Sequence, residues 1–569
     1  MNRWTLALAA AVLAAPAGAQ APRPEGPLTH APRPTTAPIA PGDLRTHVYA
    51  LAADSMLGRE AGTRGNVMAT DYIAAQARRI GLQPAGDNGT FFQAVPLVER
   101  GLETGATLNA GGQALAAGTD FLAVPTFGGI LVFAERFRAD GVPVVYGGRV
   151  GDPSRMISPE QAAGRLVVFD APLGPNGQPS FAFWAAGSFE RYADAAGLAF
   201  ATLDLTNEGI RGFFSGTRME MQHGGGAAER PRVPPAVMVT QAAAARLLGR
   251  PMSGLQVGAE GGRASGSFTF YARPLAHPAR NVVAVLPGSD PALRGQYVAL
   301  GSHTDHVGTA DEPVDHDSLV VFNRLLRPQG ADQEPDALTA ENEPAFRQAL
   351  GARRAGSRAP RLDSIFNGAD DDASGTAAML EIAQYLSANR PRRSVLFVWH
   401  TAEEVGLFGS EHFTDHPTVP RGDIVAQLTM DRVGRGAAGD VENGGPGYLE
   451  LVGSRRLSTQ LGDLVEAVNR TGEFGFTFDY SMDAPGHPQQ IYCRSDHANY
   501  ARYGIPVTFF TTGGHAEYHQ LTDEPQYLDY DKLAQVSRLI AAVTQAIADR
   551  PERLVVDKPV AGPDAECEQ

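Results

Sequence analysis

The chain has 569 residues, more than one ordinary core accommodates, so two or more domains are expected. Its composition is globular, which excludes fibrous and disordered classes. A formal net charge of −15 argues against nucleic acid or an anionic membrane surface as the main partner.

In chain order, residues 1–19 read as a signal peptide. Arg3 supplies the positive end, "WTLALAAAVLAAPAG" the apolar core, and Ala17-Gly18-Ala19 a small-residue cleavage site. No later apolar run is long enough to cross a bilayer, so export to a periplasm or the exterior is expected. A proline-rich linker covers 20–42. Two helices are expected within 43–104, with Ile73, Ala77 and Ile80 at helical spacing. Over 105–273 glycine is frequent and strand signals are short, as in "GVPVVYGG" and "PPAVMVT". That pattern predicts a β-rich inserted module without a metal or nucleophile cluster.

From 274 to 550 strands alternate with helices. "NVVAVLPG", "QYVALGSH", "SVLFVWH" and "DIVAQLTMD" read as strands. "SGTAAMLEIAQYLSAN" is a helix with Met379, Ile382, Ala383 and Leu386 on one face. "KLAQVSRLIAAVTQAIADR" is another, striped by Val536, Leu539, Ile540, Val543 and Ile547. Continuous apolar strands between helices predict an α/β fold: a mixed, mainly parallel central sheet flanked by helices. The stretch 309–367 breaks the rhythm and reads as a long functional or mobile insertion, with "GARRAGSRAPR" solvated. Residues 551–569 read as a polar, mobile tail. An oxidising compartment permits Cys493 and Cys567 to pair, but the position of Cys567 in that tail argues against it.

Polar residues gather at the strand ends. His303 and Asp305 follow one strand, Glu403 and Glu404 another, Asp431 a third, and Tyr518, His519 and Asp523 a fourth. Asp370, Asp371 and Asp372 precede a helix, which Asp372 or Ser374 is expected to cap. In open α/β sheets that edge binds ligands. Burying so many carboxylates together demands cations. Asp371, Glu404 and Asp431 with neutral His303 and His519 suit two divalent cations, best zinc, with cobalt or manganese as substitutes. Of two adjacent glutamates at a turn permitted by Gly406, one binds metal and the other takes a proton. His306, His316, His400 and His412 are expected to be packed or exposed, and His497 is a nearer candidate.

The order His303-x-Asp305, Asp371-Asp372-Ala373-Ser374-Gly375, Glu403-Glu404, Asp431, Tyr518-His519 resembles the co-catalytic zinc exopeptidases, metallopeptidase family twenty-eight. "LGREAGTRGN", "EEVGLFGSEHF" and "RSDHANYARYGIPV" are similar to the same family. The resemblance implies the zinc exopeptidase fold, and the middle module looks like an inserted protease-associated domain. It implies that His303, Asp371 and Asp431 hold one zinc and Asp371, Glu404 and His519 the other. Glu403 would then be the general base, Asp305 would orient His303 through its other ring nitrogen, and Tyr518 would donate to an oxyanion. The implied activity is aminopeptidase cleavage of peptides, with carboxypeptidase, dipeptidase or glutaminyl-cyclase-like chemistry as the alternative and a non-catalytic binding protein on the same scaffold as the lesser one. Side-chain preference and oligomeric state stay open.

Overall fold

The computed structural model describes residues 25–125, 133–150, 155–170, 189–222, 233–355, 360–441, 443–563, 565 and 567–569. The expected signal peptide lies outside them. The chain forms two compact units, one of Met1–Val95 with Ala276–Gln569 and one of Pro96–Leu275. The inserted unit starts before the expected residue 105 because Leu97–Leu102 pairs with Glu260–Pro274 in an antiparallel ladder.

In the first unit the helices are α1 (Pro41–Leu51), α2 (Arg64–Ile80), α3 (His316–Leu326), α4 (Glu343–Arg353), α5 (Ala373–Ala388), α6 (Phe408–Asp415), α7 (Thr459–Thr471), α8 (His497–Ala501) and α9 (Tyr530–Ala548). Nine strands make one sheet: β1 (Gln83–Pro84), β2 (Phe92–Ala94), β3 (Arg280–Leu286), β4 (Tyr297–His303), β5 (Ser394–His400), β6 (Ile424–Met430), β7 (Tyr448–Val452), β8 (Thr477–Asp479) and β9 (Val507–Thr511). Their order is β1-β3-β5-β4-β6-β9-β7-β8, with β2 also on β3. The four central strands β5, β4, β6 and β9 are mutually parallel. β3 and β7 flank them antiparallel.

Strand alternation sends residues to two cores. Val298, Leu300, Phe397, Trp399, Leu428 and Met430 pack with α1, α2, α5 and α9. Ala299, Leu396, Val398, Val507 and Phe509 pack on the other face with Phe413 of α6 and Tyr500 of α8. Because helices cover both faces, the strands can be apolar throughout, as β5 is. The helix α5 begins at Asp372, whose side chain accepts from Gly375 N at 2.8 Å.

Three stretches carry more structure than the sequence announced, and the last corrects an expectation. The stretch 309–367 is not a structureless loop: it carries α3, α4 and a two-stranded ladder of Thr309–Asp315 with Leu362–Ile365. The described part of the linker packs on the unit, with Thr35 Oγ1 donating to Gln384 Oε1 at 2.9 Å. The tail is anchored by a Cys493–Cys567 disulfide, and Gln569 Oε1 accepts from Tyr492 N. Among the described residues no helix is long and apolar enough to cross a membrane.

Among its described residues the second unit holds a ten-stranded mixed sheet. Its centre is parallel, running through Arg136–Arg149, Leu166–Asp170, Gly197–Ala201 and Ala236–Val239. Apolar clusters lie on both faces.

Candidate metal centre

The C-terminal ends of β4, β5, β6 and β9 converge on one edge, which the loop before α5 closes. His303 is the last residue of β4, and Asp431 follows β6 directly. His303 Nε2 lies 3.0 Å from Asp371 Oδ1 and 3.7 Å from Asp431 Oδ1. His519 Nε2 lies 3.0 Å from Asp371 Oδ2 and 2.8 Å from Glu404 Oε2. Asp371 thus offers one oxygen to each imidazole. All five residues expected to hold metal therefore meet in one cluster.

Among the described residues, donor atoms group in three sets, each within 4.8 Å; two of them fall here, His306, Asp371, Glu404 and His519, and His303, Asp372 and Asp431, and the third is His316, Asp363 and Glu524. Of the two carboxylates supplied by the aspartate pair, that of Asp372 is taken up by backbone. It accepts from His303 N at 3.1 Å, Gly375 N at 2.8 Å and Arg432 N at 3.3 Å. It therefore locks the ends of β4 and β6 to the start of α5. Asp523 does the same for the opposite side, accepting from the backbone N–H groups of Asp370 and Asp371 at 3.0–3.1 Å. The Asp371–Asp372 peptide bond is cis.

The adjacent glutamates divide. The chain bends at Ala402, with φ +57°, before the pair and again at Gly406 and Leu407 after it. The bend therefore does not rest on Gly406 alone. Glu404 turns to His519 and to His306, whose Nδ1 is 2.6 Å from Glu404 Oε1. Glu403 instead lines an open cleft with Asp431, Tyr518 and His519.

The expected role of Asp305 needs correction. His303 Nδ1 meets the backbone oxygen of Asp305 at 3.1 Å, while the carboxylate is 3.9 Å away. That carboxylate accepts from Glu403 N and Glu404 N at 3.2 and 3.3 Å. Asp305 holds the glutamate turn, and its main chain orients His303.

Sequence reasoning set aside His306, although its place in "HTDH" put it one residue beyond Asp305. It also missed Arg59, a fully buried guanidinium that donates to the backbone oxygens of Leu51, Thr304, Asn367 and Gly368. Arg59 thereby ties the segment after α1 to both site loops. His497 stacks on Phe509 at 5.0 Å, and burial pulls its pKa down to about 3, so it is a neutral core residue. His400 is buried between Asp496 and Tyr500.

The electrostatics test whether cations fit. Burial pulls the His519 imidazolium down, yet Glu404 and Asp371 override it and lift its pKa to about 11. Burial and Asp371 push Glu404 up, but His519 and His306 prevail and hold it at about 2. The carboxylates thus demand positive charge, which divalent cations can supply. His303 Nε2 and Asp431 Oδ1 are buried, and the 3.0 and 3.7 Å approaches between His303 and the carboxylates do not have hydrogen-bond geometry among the described residues. Imidazole and carboxylate donors without thiolate suit zinc. The residues present fit the group.

Residues 281–544 match the model of Peptidase family M28. Over 203 residues the chain is 30% identical to leucine aminopeptidase 1 of Coccidioides posadasii (strain C735), a match spanning 32% of this chain and 47% of that protein. The chain therefore spans about half the length of the curated relatives it matches. Among solved structures it is similar to an aminopeptidase from Aneurinibacillus sp. strain AM-1. There the identity is 17% and the TM-score 0.47, over 92% of this chain and 98% of that one. The Porphyromonas gingivalis glutaminyl cyclase is 20% identical, with TM-score 0.32, over 47% of this chain and 78% of that one.

Proposed function

We propose that the protein is an exported dinuclear zinc exopeptidase that removes N-terminal residues from peptides, with Glu403 as general base. His303, Asp371 and Asp431 would hold one ion, and Asp371, Glu404 and His519 the other. Bound ions supply Lewis acidity and lower the pKa of a coordinated water toward about 7. The division of the neighbouring glutamates carries this reading: one carboxylate is engaged by imidazoles, and the other is left facing the cleft. Glu403 takes a proton from the attacking water and returns it to the leaving amine. Tyr518 is buried, which raises its pKa well above the usual range, so its hydroxyl stays protonated and can donate to the developing oxyanion. The inserted unit is read as a protease-associated-like domain.

A peptide panel tests the activity. Zinc-loaded protein should cleave free-amine peptides and spare their N-acetylated counterparts. Efficient cleavage of acetylated peptides that depends on a free C-terminal carboxylate would replace aminopeptidase by carboxypeptidase.

A further inference from the structure

We propose that Arg432 and Arg494 form a carboxylate receptor in the cleft. Preferred substrates then carry a carboxylate beside the scissile bond, as the free end of a short peptide or as an acidic side chain. This deepens the exopeptidase reading and rests on it.

Arg432 follows the candidate ligand Asp431 and is 7% exposed. Its guanidinium sits over the Tyr518 ring at 4.4 Å, and its Nε is 3.6 Å from Asp431 Oδ1. Among the described residues that contact is its only ion pair, and no side-chain hydrogen bond supplements it. A buried cation needs a partner. When Asp431 serves a metal ion, its charge is spent there, and Arg432 is left to the cleft. Arg494 is 40% exposed in its side chain, pairs with Asp332 at 2.9 Å and comes within 3.5 Å of the Tyr518 hydroxyl. Both arginines line the cleft with Glu403 and Tyr518. Arg432 also lines an adjoining recess with Asp332 and Glu450. Guanidinium forks match carboxylates in plane and charge, which a free amine cannot exploit.

The test compares Leu-Leu, Leu-Leu-amide and Leu-Glu-amide as substrates of zinc-loaded wild type, Arg432→Gln and Arg494→Gln, with melting temperatures as a folding control. Calorimetry of leucine against leucinamide, with and without zinc, gives a readout independent of turnover. Wild type should favour a carboxylate-bearing peptide by at least about tenfold in kcat/KM, mostly through KM. Preference for Leu-Leu places the carboxylate at the chain end, and preference for Leu-Glu-amide places it on the side chain. Arg494→Gln, the more exposed position, should shrink the ratio toward one even if Arg432→Gln folds poorly. Leucine should outbind leucinamide by a similar factor in wild type only. Equal handling of acid and amide in both assays, or a preference that persists in Arg494→Gln, would overturn the receptor. Absence of cleavage of all three peptides by zinc-loaded wild type would instead strike the exopeptidase reading, and the binding comparison would still decide the receptor.

Discussion

Two consecutive glutamates meet different surroundings because the main chain bends at Ala402 before presenting them. Glu404 is held by His306 and His519, and Glu403 is not. Glu403→Gln should therefore keep its metal content while losing at least about a hundredfold in kcat. Metal analysis alongside kinetics checks this, and full activity in the zinc-loaded variant would remove Glu403 from its role. At this scale the residue types and order of the cluster were legible, because carboxylates and imidazoles at strand ends have few other reasons to gather. Direction was not. Sequence names Asp305 but cannot say that its backbone serves His303 while its carboxylate holds the glutamate turn. His306 was passed over for the same reason, since burial and aim are tertiary properties.

Elements are positioned by close approach and by buried charge. At the start of α5, a Cβ on Gly375 would lie 2.3 Å from Met430 O, at the end of the strand that presents Asp431. Gly375→Ala should cost about 1–3 kcal/mol by overpacking and lower zinc content, read by thermal melts and metal analysis. On the β9 side, His515 lies 3.2 Å from Asp370 and 3.5 Å from Glu517. Burial and Arg435 pull its pKa down, but those two carboxylates lift it to about 9. Protonated His515 thus adds stability that is complete below about 6.5 and is lost as pH rises through about 9. Melting temperatures of wild type and His515→Gln should converge across that window, and a constant difference would contradict it. The central strands and α5 and α9 were legible because both-face burial leaves unbroken apolar runs. Of the helices inside 309–367, α4 was not, since it has no fully buried residue; α3, which buries Val320, Val321 and Leu326, was passed over within a stretch rich in Pro, Gly and charge.

For the whole molecule, the chain end is part of the fold. Cys567 closes onto Cys493 across a separation of 74 residues, although a cysteine near a polar terminus gave no sign of it. Cys567→Ser should lower stability by about 2–4 kcal/mol without loss of zinc, as denaturant titration and metal analysis will tell. The two-unit division was legible from the change in glycine content and strand length. Its boundary was not, because Leu97–Leu102 joins the inserted sheet through a partner more than 150 residues away. The account as a whole stands on Asp371 offering one oxygen beside His303 and the other beside His519, the two metal positions proposed above. The most direct measurement is metal stoichiometry after zinc loading and exhaustive dialysis, for wild type and Asp371→Ala. Two zinc ions per wild-type chain and fewer than one in the variant are expected. A single ion in wild type, or two retained without Asp371, would contradict the dinuclear centre.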